Sequence, residues 1–159
     1  MTVPGDTSTT DCSIEPVGQS DLADVLTLMR AYCDFYNTTP SDQALIDLAT
    51  ALVADPDHEG RQFIARDSFG RPVGFATVFW TWSTTSACRI GVMNDLFVSE
   101  RARGRRLAGA LIAACRSECS RRGARRLTWQ TATDNIRAQS VYERIGAIRE
   151  QWIDYWLDA

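Results

Sequence analysis

A change of hydrophobic period near Arg61 constrains this chain more than any other feature. Upstream, Leu22, Val25, Leu26, Met29, Tyr32 and Cys33 recur at three- and four-residue spacing, and Ala44, Leu45, Leu48, Ala49 and Leu52 do the same. That spacing gathers apolar side chains on one face of a helix. Ser20 and Ser41 stand where N-caps belong, and Asn37 to Pro40 separates the two helices. Downstream, Gln62–Arg66, Val73–Trp82 and Arg89–Val98 are rich in β-branched and aromatic residues and read as strands. Ser68 to Pro72 reads as a hairpin turn, and 83–86 as a loop.

The rest alternates between the two periods. Gly104 to Arg122 reads as a helix ended by Gly123, and Arg125–Thr131 as a strand. Asp134–Ile145 reads as a helix closed by Gly146, and Ala147–Leu157 as a last strand. With a short strand at Ser13–Val17, the expected order is β-α-α-β-β-β-α-β-α-β. That is an α/β (α+β) architecture with a mixed, mostly antiparallel sheet flanked by helices. Residues 1–11 read as a flexible tail and 12–159 as a single domain, since no linker or internal repeat interrupts them.

Composition narrows the function. The longest apolar or small run, Leu107 to Cys115, is nine residues, about half of what crosses a bilayer. No membrane partner is expected, and the N-terminus lacks a basic-then-apolar signal pattern. Five scattered cysteines fit a reducing cytoplasm better than a disulfide framework. Cys115 and Cys119 fall one helical turn apart without a second ligand pair, so no metal is expected. All 17 cations are arginine, and their placement is uneven: residues 1–60 hold one Arg against 11 acids, while 61–159 hold 16 against nine. An anion site in the later part and a cation site in the earlier part would use that split. No stacking aromatics interleave the arginines of 101–126, so no nucleic-acid partner is expected.

The stretch Val98-Ser-Glu-Arg-Ala-Arg-Gly-Arg-Arg-Leu-Ala-Gly109 reads as a strand end, a basic turn and a helix start. Unpaired N–H groups at a helix N-terminus, reinforced by Arg103, Arg105 and Arg106, suit a pyrophosphate; a plain helix start with a solvated basic face is the competing reading. Neither G-x-G-x-x-G nor G-K-[ST] is present, which disfavours NAD and ATP.

From Ile90 to Leu157, and more weakly from residue 13, the chain resembles the GNAT superfamily of N-acetyltransferases. Arg103-Gly-Arg-Arg-Leu-Ala108 is similar to that family's [Q/R]-x-x-G-x-[G/A] loop, with Arg106 where glycine is usual. Asn135, Ala138, Tyr142, Gly146 and Ala147 match the family's N-x-x-A-x-x-x-Y-x-x-x-G-[FA] helix. The resemblance implies a single GNAT-like domain with acetyl-CoA as co-substrate. Its phosphates would meet Arg103, Gly104, Arg105, Arg106, Leu107, Ala108 and Gly109, and its pantetheine arm Asn135 and Ala138. Backbone N–H groups of Leu96, Phe97 and Val98, at a splay of the fourth strand, would hold the oxyanion. Tyr142 would be the general acid, and Asp95 a general base or an anchor for an ammonium group.

The resemblance further implies an acceptor site among Tyr32, Phe35, Tyr36, Trp80 and Trp82, whose aromatic faces suit a cation. These expectations give an enzyme that acetylates a primary amine of a small cationic molecule, such as a polyamine or amino sugar. A protein N-terminus or lysine is the second acceptor class, and a non-catalytic acyl-CoA-binding module the alternative of another kind. A homodimer stays open. His58, the lone histidine, sits in an acidic loop and reads as solvated.

Overall fold

A computed structural model describes residues 12–159; the tail expected at 1–11 lies outside them. The elements are β1 (Cys12–Pro16), α1 (Leu22–Phe35), α2 (Asp42–Ala54), β2 (Gly60–Asp67), β3 (Pro72–Ser83), β4 (Cys88–Val98), α3 (Leu107–Arg121), β5 (Leu127–Thr128) and α4 (Ile136–Arg144). One sheet runs β1-β2-β3-β4-β5; the first three pairings are antiparallel and β4–β5 is parallel.

Alternation along the strands loads both faces. Phe63, Ala65, Val73, Ala76 and Val78 meet Leu107, Leu111, Ile112 and Cys115 of α3 on one side. Ile64 and Phe75 meet Val25, Leu28 and Met29 of α1 and Leu45 and Ala49 of α2 on the other. Gly91 lets α3 close on β4: a Cβ there would sit 2.5 Å from the Cys119 sulfur, far inside van der Waals contact.

Several boundaries differ from expectation for local reasons. Ser41 does cap α2, its hydroxyl accepting from the Ala44 N–H at 3.2 Å. Ser20 does not cap α1: a 3-10 turn over Gln19–Asp21 precedes the helix, and Asp21 turns back to accept from the Gly18 N–H at 2.9 Å. α3 starts at Leu107 rather than Gly104 because Gly104 (φ 84°) and Arg106 (φ 59°) are left-handed, a conformation that cannot continue a right-handed helix.

The largest correction is at the end of the chain. Residues 147–157 form no strand, so the observed order stops at α4. A strand needs an edge to pair with, and β5 pairs with β4 only through Gly91–Leu127 and Val92–Thr128. The segment keeps side-chain links to the β5 region, Gln130 to Asp154 at 2.6 Å and Arg126 to Glu150 at 3.7 Å. Ile148, Trp152, Ile153, Tyr155, Trp156 and Leu157 remain exposed.

Candidate active site

The site follows from where β4 and β5 part. Their parallel pairing ends at Val92–Thr128. From Met93 onward, the edge of β4 that faces away from β3 has no strand partner among the described residues. In an extended strand, alternate N–H groups point toward such an edge. Opposite β3, the register slips between Thr77 and Val78: Thr77 faces Asp95, Val78 faces Met93, and Asn94 is the extra residue. A bulge of this kind re-aims neighbouring side chains.

The gap widens into a cavity of about 220 Å3. One wall is β4, with Met93, Asn94, Leu96, Phe97 and Val98; facing it are Trp129, Gln130 and Thr131 just after β5. Arg103 and Ala108 border it beside the start of α3, and Tyr32 and Phe35 of α1, with Tyr36 just beyond that helix, border it beside α1. The α4 region contributes Asn135, Arg137, Ala138, Val141 and Tyr142. Asn135 also caps α4, its side-chain oxygen accepting from the Ala138 N–H at 3.2 Å, which leaves its amide protons available.

At the basic end, the first bond into α3 runs from the Ala110 N–H to the Arg106 carbonyl at 3.1 Å, and no side chain caps the helix. The N–H groups of Leu107, Ala108 and Gly109 therefore lack helical acceptors, the arrangement that accepts an anion. Arg103 is held beside them by bonds to the Val98 carbonyl (3.2 Å) and Glu100 (3.3 Å). The Leu107 side chain is core, so only its backbone could serve the site.

At the other end, Tyr32 stacks edge-on with Tyr36 at 5.0 Å, and Phe35 with Tyr36 at 5.1 Å. Tyr142 packs edge-on against Trp129 at 5.3 Å. Burial pushes its phenol above the ordinary value, opposed by a hydrogen bond with Thr131, so it carries its proton at neutral pH. Asp95 lies just behind the wall, on the sheet face that meets α1. Burial raises its carboxyl above 3.8, while hydrogen bonds with Thr77, Asn94 and Tyr32 work against that rise. Burial and the nearby Asp95 charge likewise push the Tyr32 phenol up.

Eleven of the expected side chains thus border one cavity: Tyr32, Phe35, Tyr36, Leu96, Phe97, Val98, Arg103, Ala108, Asn135, Ala138 and Tyr142. Gly104, Arg105 and Arg106 of the adjoining turn, and Gly109 in the first turn of α3, do not border it. Trp80 and Trp82 do not border this cavity. They share the face of Val78, and Trp80 packs against the α3-side core. Its indole N–H donates to the Pro56 carbonyl at 2.9 Å, and the Arg122 guanidinium covers its ring. Trp82 carries Arg89 in the same way. Arg122 is accordingly no free surface charge; with Arg61 and Arg121 it surrounds the buried Glu118.

Sequence reasoning missed Met93, Asn94, Trp129, Gln130, Thr131, Arg137 and Val141. A polar Asn-Asp pair inside a strongly strand-like run was the available signal for the bulge. Val141 completes the Ala138–Tyr142 helical stripe. Nothing in the residues marks where β5 leaves β4. His58 lies in its loop, 2.9 Å from Asp55. Among the described residues, no group of three His, Cys, Asp or Glu side chains could hold a metal ion, and no helix is long and apolar enough to cross a membrane.

Residues 24–147 match the acetyltransferase (GNAT) family. This chain belongs to that family. The GNAT assignment is supported by 33% identity over 134 residues to the uncharacterized N-acetyltransferase YhfO of Bacillus subtilis (strain 168), covering 84% of this chain and 88% of that one. A crystal structure of a probable acetyltransferase superposes with a TM-score of 0.80 at 27% identity, covering 92% and 97% of the two chains. The aminoglycoside acetyltransferase AAC(6')-Iy, in complex with a CoA-based bisubstrate analogue, shares the fold with a TM-score of 0.80 at 21% identity over 93% and 98%. A ribosomal-protein-alanine N-acetyltransferase from Brucella melitensis biovar Abortus 2308 does so at 0.72, 21% identity and 93% and 99%. This GNAT protein is an acetyl-CoA-dependent N-acetyltransferase, and the chemistry of the uncapped α3 N-terminus beside Arg103 suits an anionic group.

Proposed function

We propose that this GNAT acetyltransferase moves the acetyl group of acetyl-CoA to a primary amine of a small cationic molecule. The observation that carries the reading is the shared cavity: the aromatic end of α1 and the Asn135–Tyr142 side of α4 face each other across the open edge of β4. The amine nitrogen attacks the thioester carbon; the N–C bond forms and the C–S bond breaks. N–H groups on the open edge around Leu96 to Val98 stabilise the developing oxyanion. The nitrogen gives its surplus proton to Asp95, directly or through water, and the thiolate takes the Tyr142 proton. The products are an acetamide and free CoA.

The acceptor class is supported by Tyr32, Phe35 and Tyr36 on the cavity lining, whose ring faces attract cations. Aminoglycoside acetyltransferases among the structures of the same fold point the same way. Release of CoA thiol, followed with a panel of polyamines, amino sugars and an alanine-terminated peptide, tests it. Turnover is expected with the small amines; turnover confined to the peptide would replace this acceptor class. On the best acceptor, Tyr142→Phe is expected to lower kcat about 100-fold or more with little change in KM. Unchanged turnover would remove Tyr142 from the acid role.

A further inference from the structure

Gln62 on β2 and Thr77 on β3 are both sealed under α1 and α2, at 2% and 0% exposure. Neither is a natural occupant of that layer, whose other members are Val25, Leu28, Met29, Ile64 and Phe75. The Gln62 Nε2 donates to the Thr77 Oγ1 at 3.1 Å and reaches the Met29 Sδ at 3.6 Å. Its Oε1 is buried with no partner. A thioether can only accept, so Met29 selects the amide orientation that turns Nε2, not Oε1, toward Thr77. A threonine hydroxyl that accepts from the amide keeps its single proton to donate elsewhere. Directly opposite Thr77 in the ladder, beside the extra residue Asn94, stands Asp95.

We propose that Gln62 and Thr77 are positioning residues: a buried one-way hydrogen-bond relay that holds the Asp95 carboxylate toward Tyr32 and the acceptor end of the cavity. The polarity is uniform. Gln62 donates to Thr77, whose hydroxyl keeps its proton and stands across the ladder from Asp95; the Asn94 Nδ2 donates to the same carboxylate at 3.2 Å. An ionised carboxylate only accepts, so every link suits that form. The other titratable groups nearby are Tyr36, just after α1, and Tyr142 on α4, both of which act on Tyr32. The orphaned Gln62 oxygen is the second strand of the argument. A methionine or leucine would fill the layer without a buried unpaired acceptor, so the amide gives up stability there. Such local losses concentrate where a residue serves a site.

The proposal rests on reading Asp95 as the proton acceptor, and its test is kept separate from that reading. The Asp95 carboxyl is titrated by 13C NMR in the full-length protein, without acetyl-CoA or amine. Thr77→Val is expected to raise its midpoint by about one pH unit, the effect of losing one donor to the charged form. Thr77→Ser is expected to restore the wild-type midpoint. Gln62→Met is expected to move the midpoint in the same direction as Thr77→Val while leaving Tm unchanged or higher. A midpoint unmoved in Thr77→Val and Gln62→Met overturns the relay. A large Tm loss in Gln62→Met with an unmoved midpoint makes Gln62 purely structural. Full turnover by Asp95→Asn would instead remove the base assignment and leave the relay standing, because the titration reads the carboxyl itself.

Discussion

Arg106 shows how much one residue can hold in tension. It stands at the N-cap of α3 with φ 59°, where a Cβ crowds the following carbonyl and costs about 1–2 kcal/mol. The resemblance had put glycine at this position, and the backbone explains that preference. Arg106→Gly is expected to be more stable than Arg106→Ala by about 1 kcal/mol in urea unfolding, since alanine keeps the Cβ; equal stabilities would contradict the strain. Asp95 makes a second residue-scale statement. Its carboxyl is raised above 3.8, so as a base it loses function when pH falls through that higher value. The acid limb of kcat/KM is expected above the ordinary aspartate range and is expected to vanish in Asp95→Asn. Tyr142 and Asn135 were legible because fixed spacing on one helix carries them. Gln62 and Thr77 were not: in sequence they are two polar residues in strands, and only the register brings Thr77 to Asp95.

α3 is held by more than its apolar stripe. Glu118, with its side chain 8% exposed, accepts from Arg121 and Arg122 and pairs with Arg61 of β2. Burial alone would raise its carboxyl, but the hydrogen bonds from Arg121 and Arg122, with the charge of Arg61, hold it down to about 2. A depressed carboxyl stabilises the fold above its unfolded value and loses that contribution as it protonates. Stability is therefore expected to fall between about pH 4.5 and 2, and Glu118→Gln is expected to flatten that part of the pH profile in thermal melts. Glu118→Ala, which removes the carboxylate shared by Arg61, Arg121 and Arg122, is expected to cost about 3 kcal/mol. The periodicity placed α1, α2 and β2 to β4 because each carries a pattern its own residues define. It misplaced 147–157 because strandness there depends on an edge that the short β5 does not supply. Alternation puts Trp80 and Trp82 on one face of β3, but it cannot say which face carries α3.

Across the whole molecule, the uneven charge has sorted itself by partner. Arg61, Arg121 and Arg122 neutralise Glu118, and Arg122 also reaches Asp57 of the acidic first part at 2.7 Å. Arg103, Arg105 and Arg106 stay together at the turn before α3. The exposed apolar run from Ile148 to Leu157 is large for a protein surface in water. Sedimentation velocity is expected to show concentration-dependent association in the wild type, reduced in the double substitution Trp152→Ser and Trp156→Ser. The sheet, finally, lists its strands in the order in which the chain makes them. The β2–β3–β4 meander can form from near neighbours alone, whereas β1 must close a loop around both α1 and α2 to reach β2. Loop closure of that kind is entropically slow. Early growth then belongs to the meander: Val78→Ala is expected to slow refolding, while Ile14→Ala mainly speeds unfolding. The edge strand is the last to arrive and the first to leave.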